Sequence, residues 1–289
     1  MIKMKRSVLF LFSFFSFLHL YGQKASIHGA DVSTSDTLGI TSFNIRYGEA
    51  NDGINSWPNR KSLIKNYVQS TRPDILGVQE ALIGQIAYLD SIPGYEFVGV
   101  GRDNGMTEGE YCAIFYNADE LEVRESGTFW LSETPGVPTK GWDGACPRIC
   151  TWAKFKNKNG KEFCVFNTHL DHMGRKARME GARLIISKIN LLNPRIPVFL
   201  IGDFNATSED LPIRIISDFL ADSREISQFP DTTDGFTFNG FKEEGQATER
   251  IDYIFVNNFV RVISFHTNQL RPDNKYLSDH YPIEGTFIY

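Results

Sequence analysis

Short apolar runs rich in β-branched and aromatic residues recur along the chain, at 40–45, 75–78, 97–100, 111–116, 128–131, 149–155, 163–168, 198–201, 251–256, 260–265 and 283–288. Most are bounded by turn formers, the signature of strands. Helical periodicity is confined to 58–70, 81–89 and 175–192. The first opens with Pro58, tolerated in a first turn because its missing N–H has no intrahelical partner to lose. In the third, Ala182, Ile185, Ile186, Ile189 and Leu192 form one apolar stripe while Arg178, Glu180 and Lys188 lie elsewhere, so one face must be covered. Many strands with few interspersed helices predict an α/β (α+β) fold, a four-layer sandwich of two packed mixed sheets flanked by helices.

Polar residues interrupt this pattern where apolar runs end. Asn44 closes the first, Gln79-Glu80 the second, Asn167-Thr168-His169 a later one and Asp203-Phe204-Asn205 another, while Ser278-Asp279-His280 immediately precedes the last. Taken singly, these residues have ordinary structural readings. Asp203 or Asn205 starts a turn, Glu80 is a first-turn acid, Asp171 or His172 caps a helix, and His169 is a satisfied, partly buried histidine. Gly202 gives the backbone room to turn.

Taken together, two His, three acids and two Asn at strand ends are the inventory for metal-assisted attack on phosphate. A hard divalent ion such as Mg²⁺ takes oxygen ligands and keeps several waters, so one or two carboxylates and an amide suffice. A neighbouring carboxylate can deprotonate a water, and imidazoles can donate to phosphate oxygens. Zinc chemistry is the lesser reading, because neither HExxH nor a Cys/His zinc spacing is present.

Composition narrows the setting. Lys3, Lys5 and Arg6 precede a mostly apolar run from Ser7 to Leu20 that closes at Gly22, so 1–22 reads as a signal peptide and the mature chain as periplasmic or secreted. The run is too short for a comfortable membrane span. Residues 23–36 form a polar lead, and 37–289 read as the folded domain. Losing the three leader cations moves the formal charge from −5 to −8. Bulk electrostatic capture of long DNA is thereby disfavoured, while a small or local phosphate ester stays open. Nothing calls for an obligate protein partner. Cys112, Cys146, Cys150 and Cys164 are too few for a disulfide scaffold and are expected to be small buried hydrophobes. Among the rings, Trp130 and Trp152 are expected in the core. Trp142, in the Gly/Pro-rich loop 135–147, and the loop 235–245 are expected ligand contacts.

The blocks FNIRYG (43–48), GVQE (77–80), GEYCAIFY (109–116), CPRICTWA (146–153), NTHLDH (167–172), GDFNAT (202–207), RIDYIFV (250–256) and SDHYPI (278–283) occur in order. In that order they resemble the endonuclease/exonuclease/phosphatase superfamily, which includes DNase I. The resemblance implies a DNase I-like fold and a phosphoesterase dependent on Mg²⁺ or Mn²⁺. It implies Glu80 as principal metal ligand, helped by Asn44 and Asp279. His169 would face the phosphate, oriented by Glu110, and His280 would be the second imidazole, oriented by Asp252. Asp203 would position or deprotonate the water, Asn205 would hold the phosphate or that water, and Arg148 would neutralise the phosphate. Arg46 stands where the repair nucleases carry an acid, the WCDR block of inositol polyphosphate 5-phosphatases is absent, and Tyr111 is a candidate for the aromatic beside Glu110, with burial among its strand neighbours the equal reading. The substrate class therefore stays open among nucleic acid, nucleotide, lipid headgroup and sugar or inositol phosphate. An inactive ligand-binding module is the alternative from another class.

Overall fold

The structure, a computed structural model, describes residues 37–192, 195–242 and 249–289. The expected signal peptide and polar lead lie outside these residues, as do positions 243–245 of the loop 235–245. Two six-stranded sheets carry the fold. In the first the spatial order is β11 (Arg261–Thr267), β12 (Ile283–Ile288), β1 (Thr37–Asn44), β2 (Ile75–Ala81), β4 (Tyr111–Asn117) and β3 (Tyr95–Val98). In the second it is β5 (Leu121–Trp130), β6 (Ile149–Asn157), β7 (Glu162–His169), β8 (Val198–Asp203), β10 (Asp252–Val256) and β9 (Ala221–Asp222). Both sheets are mixed, with β1–β2 and β7–β8 parallel and the other pairs antiparallel.

Three apolar layers hold these elements together. Leu38, Ile40 and Ile75 of the first sheet pack against Phe163, Val165, Phe199 and Ile201 of the second. On the outer face of the first sheet, Phe43, Leu76 and Val78 receive Ile64 and Val68 of α1 (Trp57–Thr71) and Ile86 and Leu89 of α2 (Ile83–Asp90). On the outer face of the second, Phe166, Leu200 and Phe255 receive Ile185, Ile186 and Ile189 of α3 (Arg175–Asn190) and Ile213 and Ile216 of α4 (Leu211–Ser217). Helix, sheet, sheet, helix is the α/β sandwich the pattern predicts. Among the described residues, no helix is long and apolar enough to cross a membrane.

Five local features depart from that pattern. Strand β5 begins at Leu121, well before 128, because it is a sheet edge whose Glu122, Arg124 and Glu125 face solvent and leave no apolar run to read. Helix α4, the short strand β9 and α5 (Ser223–Ile226) are each too brief to show a period. Three of the cysteines are buried as expected, but Cys146 is half-buried because it leaves the long loop before β6 begins.

Strand alternation explains where chemistry collects. Side chains pointing between the sheets recur every second residue, through Leu38 and Ile40 to Asn44, Phe163 and Val165 to His169, and Phe199 and Ile201 to Asp203. The parallel register aligns Asn44 with Gln79 and His169 with Asp203, and the antiparallel register aligns Asp252 with Asp203. One end of the sandwich is thus polar on both sheets. Just inside it, the Gln79 amide donates to Asn167 Oδ1 at 2.7 Å, and Asn167 donates to the Val78 and Ala113 carbonyls at 3.0 and 2.8 Å, a latch from one sheet to the other.

Arg60 is a second tether, missed in the sequence because it sits in an unremarkable helical position. It is 2% exposed and donates to the carbonyls of Asn55, Ile45 and Leu277, joining the loops that carry Arg46 and Asp279. Burial pulls its pKa down to about 10. Arg60→Met leaves these carbonyls without their partner and is expected to cost about 3 kcal/mol. A thermal melt should show Tm lower by about 10 °C.

Candidate active site

The cleft, of about 460 Å³, is lined by Arg46, Glu80, Arg148, His169, Asp203, Asn205, Asp279 and His280 among others. Asp203, 1% exposed, is its hub. Its Oδ2 accepts from Asn44 Nδ2 at 2.9 Å and lies 3.4 Å from His169 Nε2 and 3.7 Å from His280 Nε2, while Oδ1 accepts from the Asn205 backbone N–H at 2.9 Å. Burial and the Asp252 carboxylate push the Asp203 pKa up to about 7.

Two residues deliver their side chains from unusual backbone. Glu80 has φ 62° and interrupts the β2–β4 register between Val78 and Ala81, so the chain can bury Gln79 yet turn Glu80 into the cleft. Its Oε1 accepts from Asn44 at 3.0 Å and its Oε2 from the Tyr47 N–H at 2.8 Å. Two residues at the end of β8 have positive φ, Gly202 at 145° and Asn205 at 45°. A side chain at 202 would collide with the Thr168 carbonyl of β7, so glycine there permits close strand approach.

The two imidazoles differ in charge. His280 Nδ1 is 2.8 Å from Asp252 Oδ2, the pairing the sequence suggests, and although burial opposes it, Asp252 and Asp203 hold this imidazole protonated, well above the usual histidine range. His169 is pushed the other way, by burial first and then by Arg148 and Arg102. It is neutral, and its Nε2 accepts from Asn205 Nδ2 at 2.9 Å.

Several expected placements change. Glu110 stands 4.0 Å from His169 Nδ1, too far for a hydrogen bond, because Arg102 holds its carboxylate at 2.6 Å. The Asn205 side chain is directed to His169 and to the Leu170 carbonyl, so here it fixes the imidazole. Asn44 turns its amide nitrogen to Glu80 and Asp203, while its Oδ1 accepts from the Arg46 N–H at 3.0 Å. Asp279 pairs with Arg46 at 3.4 Å and accepts from Ser278 Oγ at 3.1 Å. Tyr111 is buried, its hydroxyl on the Met106 carbonyl, and Trp142 does not line the cleft, whereas Phe238 does. Arg148 is buried at the cleft wall, its Nη1 making no hydrogen bond and lying 3.9 Å from Glu110 Oε2, so it retains a donor for an anion.

Two groups of metal-ligating type line this region. Atoms of Glu80, His169 and Asp203 lie within 4.8 Å of one another, as do atoms of Asp203, Asp252 and His280. The carboxylates of Glu80, Asp203 and Asp252 crowd together there, and burial with the Asp252 carboxylate raises the proton affinity of Asp203; a hard divalent cation relieves such a donor set, so the residues fit one. The third such group, Cys146, Asp171 and His172, does not. Asp171 accepts from the N–H groups of Ala145, Met173 and Gly174, which outweigh burial and hold its pKa at about 2, and His172 faces Arg148.

Fold and cleft define a metal-fitting phosphoesterase, and the comparisons agree. The Endonuclease/Exonuclease/phosphatase family matches residues 41–280, and the chain belongs to that family. It is similar to the mannosyl-6-phosphatase of Bacteroides thetaiotaomicron, with 37% identity, 87% of this chain and 100% of that one covered, and a TM-score of 0.83. An endonuclease/exonuclease/phosphatase from Bacteroides vulgatus gives 38%, 87%, 98% and 0.82 for the same measures. Uncharacterized protein L388 of Acanthamoeba polyphaga mimivirus is 30% identical over 252 residues, 80% of this chain and 91% of its own length.

Proposed function

We propose that the protein is an exported, Mg²⁺-dependent phosphomonoesterase that hydrolyses its substrate by direct in-line attack of water, without a covalent enzyme intermediate. The observation that carries this reading is the buried Asp203 beside two imidazoles of opposite protonation, facing Glu80 across one cleft. Asp203 takes the proton of the attacking water, a task for which a base near neutrality is suited. Protonated His280 donates to a phosphoryl oxygen, and Nη1 of Arg148, which makes no hydrogen bond, meets another. Glu80 would hold the ion, with Asp203 the next carboxylate in reach. When bound, Mg²⁺ offsets the charge that develops on the phosphoryl and leaving oxygens. The 37% identity to a mannosyl-6-phosphatase favours a sugar monoester over a polynucleotide, and the acidic balance of the chain supports the same choice. The charged start and apolar run of 1–22 support export.

Chelation tests this directly. EDTA is expected to abolish hydrolysis of p-nitrophenyl phosphate and Mg²⁺ to restore it, with the monoester preferred to bis(p-nitrophenyl) phosphate. Chelator-resistant turnover would sink the metal assignment, and diester preference the monoesterase assignment. Tight ligand binding with no turnover under any divalent ion would revive the inactive module.

A further inference from the structure

Next to the cleft lies a second cavity of about 670 Å³ that shares Tyr47, Arg102 and Glu110 with it. We propose that this cavity is the leaving-group subsite and that it takes a neutral polyhydroxylated alcohol of monosaccharide size; the inference rests on the phosphomonoesterase reading above. Asp203, Asn205 and His280 line the cleft but not the cavity. The two meet beside Glu80, whose Oε2 accepts from the Tyr47 N–H at 2.8 Å. An ester oxygen on the side of the phosphate remote from Asp203 therefore leads into the cavity. In-line attack expels that oxygen, breaking its bond to phosphorus as the water oxygen forms a new one. The water's proton goes to Asp203, the departing oxygen takes a proton from solvent water, Asp203 returns its own to solvent, and the products are the free alcohol and inorganic phosphate.

The lining selects the alcohol. The lining includes the apolar Trp57, Leu82 and Ile83, the last 44% exposed, and the carboxylates of Glu49, Asp103 and Glu108. A sugar ring matches both, with a C–H face for the apolar residues and hydroxyls that donate to carboxylates in charge-assisted bonds. A second phosphate, which any nucleotide chain would bring, meets these three acids against one cation among the described lining residues, Arg102, whose guanidinium is held by Glu110 at 2.6 Å and lies 3.8 Å from Asp103. A quaternary ammonium group wants several aromatic faces around it. Here Trp57 is edge-on to Tyr88, at 5.8 Å and 85°, and Arg102 stands at the entrance.

The experiment compares kcat/KM for mannose 6-phosphate, p-nitrophenyl phosphate, phosphocholine and a dinucleotide, in the wild-type chain and in Asp103→Ala, Glu108→Ala and Trp57→Ala. Asp103 and Glu108 are exposed, so their replacement leaves the fold intact. The ratio of sugar phosphate to aryl phosphate is expected to fall by about tenfold in each variant, mainly through KM. A ratio that does not move, or wild-type preference for the dinucleotide or phosphocholine, overturns the subsite while hydrolysis itself persists. No turnover of any monoester by the wild type overturns the phosphomonoesterase reading and the inference with it.

Discussion

Asp203→Asn is expected to lower kcat/KM by about a thousandfold while the protein stays folded. The amide keeps the shape of the carboxylate and its single oxygen can still accept from the Asn205 N–H, at the loss of the bond from Asn44, but it cannot accept a proton from water. The stability readout moves the other way. Asp203 is a buried acid pressed against Asp252, with a pKa raised to about 7, so above that pH its charge is a cost that the amide removes. Steady-state kinetics at saturating Mg²⁺ beside a thermal melt should therefore show activity lost with Tm unchanged or raised. Retained activity would remove Asp203 from the reaction, and lost activity with a collapsed Tm would assign it to the fold.

Glu80→Gln should produce a loss of similar size with a different signature. If Glu80 holds the ion, the amide weakens binding, and the Mg²⁺ concentration for half-maximal rate should rise by more than about a hundredfold. Excess metal should recover part of the rate, which it should not do for Asp203→Asn. The backbone supports a functional assignment, because a non-glycine residue at φ 62° costs on the order of 1 kcal/mol and such positions cluster where a side chain must be aimed. Metal titration of the rate in the two variants separates the roles, and identical titrations would merge them.

The sequence made the four-layer architecture legible because every buried strand writes its apolar run, and it marked the site because Asn44, His169 and Asp203 fall on the inward parity of those runs. What it concealed depends on partners distant along the chain. Nothing near Glu110 says that Arg102 will take its carboxylate, since that pairing arises only when the loop between β3 and β4 folds back on itself. Asn205 reads as a ligand for phosphate until β7 brings His169 to its amide. Trp142 and Trp57 look alike as loop or first-turn aromatics, and only the placement of α1 puts Trp57 on the second cavity. Arg60 carries no local mark, for its three carbonyl partners come from two loops far apart in the chain.

The Gln79–Asn167 latch has a consequence for how such a molecule diversifies. Glu80 rides on one sheet and Asp203 on the other, so the gauge of the reactive gap is set by the thickness of the seam between them, and the latch fixes that gauge from within. Loops at the rim, among them 101–110, can be rewritten without disturbing it. Selectivity is free to drift while the spacing of the chemistry is conserved by the interior, as interchangeable jaws are fitted to one vice.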